Sequence, residues 1–131
     1  MKKIEVVAAI IYFEDTILCV QRAKSKHEYI SEKYEFPGGK IETGETKEAA
    51  LKRELFEELA ITTNIKSEFH TVVHQYPDFE ITMYSFLCEV ETKEIILHEH
   101  IDHRWLTIQE LETLDWAAAD IPIVSKLVSN G

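Results

Sequence analysis

Residues 46–61, TKEAALKRELFEELAI, constrain the fold of this chain more than any other stretch. Leu51, Leu55 and Leu59 recur at the spacing of one helical face, and Thr46 offers the hydroxyl of an N-cap. The spacing predicts a helix over 46–59 that must bury its leucine stripe against another element. Strand-like sequence surrounds it. Residues 4–13 and 17–22 are apolar and β-rich around the polar turn Glu14-Asp15-Thr16, and read as a hairpin. Residues 69–76 and 79–90 read as two longer strands around Pro77-Asp78, with a short strand expected near 103–106. Thr107 and Glu110 have the spacing of a capping box. A last helix is expected over about 121–128, with Asp120 a candidate N-cap and Pro122 in the first turn. Strands interleaved with helices indicate an α/β or α+β fold with a mixed sheet. No repeat, linker or composition shift divides the chain, so residues 1–131 are expected to form one domain.

The same helix carries Glu54, Glu57 and Glu58 at i, i+3 and i+4, on a face that borders the leucine stripe. Like charges at these spacings repel, and the C-terminal end of a helix disfavours anions. Arg53 can reach Glu57, but one cation cannot neutralise three acids. A divalent cation would offset the repulsion, and hard ions such as Mg²⁺ prefer carboxylate oxygens. By itself the pattern E-x-x-E-E also describes a solvated acidic face. The preceding segment points further: Gly38-Gly39 permits close backbone approach to a ligand, and Glu45 lies just ahead of the helix, where its charge suits the N-terminus.

Acidic residues outnumber basic ones 24 to 14, a formal charge of −10. That balance argues against a nucleic-acid polymer as partner, yet allows small anionic substrates, because bound cations invert the local sign. No apolar run approaches the ~20 residues that span a bilayer, so no membrane partner is expected. The start, Met1-Lys2-Lys3 before an apolar run, has the outline of a signal peptide. Glu5 interrupts the run and Glu14-Asp15 follows it, so it reads as a strand. Cys19 and Cys88 stand alone in apolar surroundings, as suits a reducing compartment, and a cytoplasmic location is expected.

Gly39, Glu45, Arg53, Glu54, Leu55, Glu57, Glu58 and Ile61 match the Nudix box, G-x5-E-x7-R-E-U-x-E-E-x-G-U with U aliphatic. The one departure is Ala60, where the box has Gly; this places the helix end in question, not the carboxylates. Gln21-Arg22, Glu35-Phe36-Pro37-Gly38-Gly39, Pro77-Asp78 and Ala119-Asp120-Ile121-Pro122 extend a resemblance to the MutT-like branch of nucleoside triphosphate pyrophosphohydrolases. The resemblance implies a mixed sheet sandwiched between helices. It also implies hydrolysis of a nucleoside triphosphate to the monophosphate and pyrophosphate, with Mg²⁺ or Mn²⁺. Oxidised nucleotides or cytidine nucleotides are the implied substrates. The alternatives are another nucleoside diphosphate derivative such as ADP-ribose, or a non-catalytic nucleotide sensor, which intact Glu54, Glu57 and Glu58 argue against.

By the same resemblance Glu54, Glu57, Glu58 and the Gly39 carbonyl hold metal, Glu99 adds a further metal ligand, and Arg53 orients the glutamates. Glu54, Glu45 and Glu99 are candidates for the general base. Arg22, Phe36, Tyr76, Asp78 and Asp120 are the candidate substrate contacts, with Asp120 either reading the base or simply capping the last helix. His98, His100 and His103 invite a zinc reading, but Asp102 stands where H-E-x-x-H needs its second histidine, so surface histidines are expected. Trp105 and Trp116 are expected in the core. Oligomeric state is open between monomer and homodimer.

Overall fold

The computed structural model describes residues 1–130. Strand β1 (Lys2–Phe13) turns through Glu14-Asp15 into β2 (Thr16–Gln21), with Phe13 opposite Thr16, as the hairpin pattern predicts. Seven strands among the described residues join one mixed sheet. Its centre is β1, which runs parallel to β6 (Phe79–Glu89) along one side. Along its other side β1 pairs antiparallel with β4 (Gly38–Lys40) and then with β2. The edge beyond β6 is β5 (Asn64–Gln75); β2 also carries β3 (Tyr34–Glu35) and β7 (Asp102–Leu106). No helix among the described residues is long and apolar enough to cross a membrane.

Alternation along β1 builds a core on each face of the sheet. Val7, Ala9 and Ile11 face helix α1 (Lys47–Leu59) and meet Leu51, Leu55 and Leu59. Ala8 and Ile10 face helix α2 (Ile121–Asn130) and meet Ile123, Val124 and Leu127. The leucines of α1 are fully buried, each contributing ~2 kcal/mol of hydrophobic stabilisation. Helix, sheet and helix thus form the expected sandwich. Strand β5 begins earlier than its apolar pattern predicts, because residues 64–68 form a polar edge with register shifts. The box at Thr107 is present, with Glu110 accepting from the Thr107 N–H, but it heads a 3-10 turn, Ile108–Thr113.

Both ends of α1 are closed. Thr46 Oγ1 accepts from the Ala49 N–H at 3.1 Å. At the other end Ala60 adopts the left-handed conformation, φ 56° and ψ 37°, that the box normally gives to glycine. The last carbonyls of a helix lack intrahelical partners, yet each is met here. Ala60 N–H donates to Phe56, His98 Nδ1 to Glu57, His98 N–H to Glu58 and Ile96 N–H to Leu59. The segment before β7 is thereby tied across the end of the box helix.

Candidate active site

Four neighbouring pieces of backbone build the acidic site: β3, β4, α1 and the 95–101 segment. Backbone pairing of β4 with β1 carries Gly39 beneath α1. A Cβ on Gly39 would fall onto the Glu54 carboxylate, so any larger residue here displaces that carboxylate. Arg53 holds the next layer. Its Nε and Nη2 donate to the two oxygens of Glu45 at 2.7 and 2.9 Å, a bidentate fork. Nη1 donates to Glu54 at 2.9 Å and Glu57 at 3.3 Å, and Nη2 also reaches the Lys40 carbonyl. Arg53 thus contacts three glutamates of the box at once. Its guanidinium and the Glu42 N–H hold the Glu45 carboxyl down at about 2. Both Glu45 oxygens are occupied, and the carboxylate braces Arg53.

Glu54 and Glu58 are in the opposite state. Burial pushes the Glu54 carboxyl upward against the pull of Arg53, with Glu57 and Glu99 adding to the rise. Glu58 is pushed up to about 8, first by burial and then by Glu35, Glu54 and Glu99. Its Oε1 is buried without a hydrogen-bond partner. Exposed Glu99 thus adds its field to the cluster, while Glu57 points its carboxylate at Arg53. Among the described residues no three acidic, His or Cys side chains yet converge as an ion-binding group. The donor chemistry nevertheless fits a hard cation: an orphaned buried oxygen, carboxyls raised first by burial and then by their acidic neighbours, and a glycine-lined approach.

Glu35 and His100 belong to this site although the sequence did not mark them for it. Glu35 Oε1 accepts from Arg22 Nη1 at 3.2 Å, and His100 Nε2 lies 3.0 Å from Oε2. His100 is buried, which corrects the expectation of a surface histidine; His98 and His103 are exposed. The signal available was only the tract Glu35-Phe36-Pro37-Gly38-Gly39, in which Glu35 stands beside a phenylalanine.

The candidate substrate contacts divide into two groups. Asp120, at 5 % exposure, lies against β3: its Oδ1 accepts from the Phe36 N–H at 3.0 Å. It sits within a 3-10 turn, Ala118–Asp120, that runs straight into α2, so the expected N-cap is not formed. Burial and the Glu35 charge push its carboxyl well up, against Arg22. Phe36, expected as a base contact, is 3 % exposed and stacked on Trp116 at 4.7 Å, so its ring is core and its N–H is what meets Asp120. Tyr76 is also buried, its hydroxyl accepting from the Ala119 N–H. Asp78 stands apart on the rim, accepting from the Tyr29 hydroxyl at 2.6 Å beside His27. Trp116 is in the core as expected, and Trp105 is half-buried against the α1 layer.

A box helix with its acids turned toward a glycine strand, on a mixed sheet between two helices, defines a Nudix domain. The NUDIX domain pattern matches residues 2–127, and the chain belongs to that family. It is 38 % identical over 128 residues to the 8-oxo-dGTP diphosphatase of Escherichia coli K12, covering 97 % of this chain and 98 % of that protein. The CTP pyrophosphohydrolase of the same strain is 32 % identical, with 98 % and 94 % covered. A solution structure of the Nudix hydrolase MutT from methicillin-resistant Staphylococcus aureus 252 superposes with a TM-score of 0.76 at 38 % identity, covering the whole of both chains.

Proposed function

We propose that this chain is a MutT-like enzyme that hydrolyses a nucleoside triphosphate to the monophosphate and pyrophosphate, with Mg²⁺ or Mn²⁺, as one catalytic domain in the cytoplasm. The observation that carries the reading is the Glu58 carboxylate, buried and raised, with an unpartnered oxygen beside Glu35 and Glu54. Relatives of nearly the same length are named for triphosphate hydrolysis, which supports the substrate class. Glu54, Glu57, Glu58, Glu99 and the Gly39 carbonyl would hold the metal, which when bound polarises phosphoryl oxygens and acidifies the attacking water. Arg53, braced by Glu45, keeps Glu54 and Glu57 in register. Glu54 keeps one oxygen free of Arg53 and has a raised carboxyl, which makes it the better base to take the proton from water.

Asp120 reads the base. Burial favours its protonated form; with Oδ1 accepting from the Phe36 N–H, the proton sits on Oδ2, which donates, while the second lone pair of Oδ1 still accepts. Such a mixed pattern suits an oxidised purine better than the amine of cytosine, which needs only acceptors. Tyr76 holds the same turn through the Ala119 N–H, and Arg22 lies near enough for its charge to act on Asp120. A panel of canonical, oxidised and cytidine triphosphates with Mg²⁺ tests the assignment. Preference for the oxidised purine should shift ten-fold or more in Asp120→Asn, equivalent to ~1.4 kcal/mol. An unchanged ranking would leave Asp120 structural.

A further inference from the structure

His100 lies outside the box, and the nucleotide chemistry outlined above makes no use of it. Its side chain is 4 % exposed. Nε2 lies 3.0 Å from Glu35 Oε2, while Nδ1 is buried without a partner. An unsatisfied buried polar atom is destabilising, so a leucine would serve better if filling space were the only requirement. What the imidazole adds is a rigid N–H aimed at one carboxylate. The backbone that carries it is held on both sides: His98 is bonded to the end of α1, and the Ile101 N–H to the Gln21 carbonyl of β2. The segment therefore directs successive residues to different partners, with Glu99 exposed near the acidic cluster and His100 buried against β3.

Glu35 is the residue so held. It occupies a strand of two residues and is gripped through one oxygen by Arg22, whose side chain is 41 % exposed, and through the other by His100. Arg22 reaches Glu35 through one N–H only, at 3.2 Å, and a single bond leaves a carboxylate free to turn. The buried imidazole supplies the rigid half of the clamp.

We propose that His100 is a positioning residue for hydrolysis, holding the Glu35 carboxylate in place beside Glu58 of the acidic cluster. The proposal rests on reading that cluster as the hydrolytic centre. Outer hydrogen-bond partners of a metal site typically account for 10- to 100-fold in activity or metal affinity.

The test is a double-mutant cycle of His100→Leu and Glu35→Gln, with kcat and KM for a nucleoside triphosphate, and Mn²⁺ affinity from electron paramagnetic resonance on the protein with Mn²⁺ alone. His100→Leu should lower kcat 10- to 100-fold with KM within about two-fold, and weaken Mn²⁺ binding by a similar factor. His100→Gln, whose amide N–H can reach Glu35, should restore most of both. The double variant should be no worse than the poorer single one. Should His100→Leu not fold, His100→Asn, too short to reach Glu35, takes its place. Wild-type kcat and Mn²⁺ affinity in the His100 variant, or losses that multiply in the double variant, would overturn the proposal. Absence of turnover in the wild type would count against the hydrolytic reading instead, and the Mn²⁺ titrations would still decide the role of His100.

Discussion

Ala60 ends the box helix in a conformation that suits glycine, and Ala60→Gly should stabilise the protein. At φ 56° and ψ 37° an L-residue carries ~1–2 kcal/mol of steric strain, which glycine removes. Against this, glycine gives the unfolded chain more freedom, at a cost of ~0.4–1 kcal/mol. Ala60 is exposed, so its methyl contributes little packing, and the bond from its N–H to Phe56 at 3.0 Å is kept. The net expectation is a gain of ~0.5–1 kcal/mol, or about 2–4 °C in Tm for a chain of this size. Urea and thermal unfolding followed by circular dichroism, with an unchanged m-value, measure it. A lower Tm would refute the reasoning, because it would mean that the helix end draws stability from the alanine itself.

Metal-free protein should lose stability as pH rises from about 4.5 to about 8, since the folded state keeps the Glu58 proton to about 8 whereas the unfolded chain releases it near its ordinary 4.5. Glu58→Gln should flatten that slope, and an unaltered slope in chemical denaturation across pH would contradict the placement of Glu58. Glu45 has the opposite sign: its contribution is complete above about 4.5 and is lost as pH falls toward about 2, so Glu45→Gln should lessen acid sensitivity in the same assay. Gly39→Ala should push the Glu54 carboxylate aside and reduce kcat by ~10²-fold, with a modest fall in Tm; near-normal kcat would show that the close approach is dispensable.

Local chemistry made the box helix legible. The leucine spacing, the Thr46 cap, the hairpin turn and the grouping of Glu54, Glu57 and Glu58 are all statements about neighbours in sequence, and α1 and β1 form as those patterns predict. Contacts between distant segments were not legible. His100 meets Glu35 across 65 residues and Asp120 meets Phe36 across 84, and no periodicity encodes either pairing. Asp120 before Ile-Pro has the pattern of a cap, yet the preceding 3-10 turn carries the chain into α2 and frees the carboxylate for the Phe36 N–H that follows β3. The start of β5 was hidden for another reason: an exposed edge strand has no need of apolar alternation, so the strand pattern shows only from residue 69.

The most direct test of the central claim is to follow a nucleoside triphosphate by phosphorus NMR with wild type and Glu58→Gln, in Mg²⁺ and in excess chelator. The account predicts monophosphate and pyrophosphate as the products, no turnover in chelator, and a kcat at least ~10²-fold lower in Glu58→Gln. Release of orthophosphate and nucleoside diphosphate, or full activity of Glu58→Gln, would contradict it.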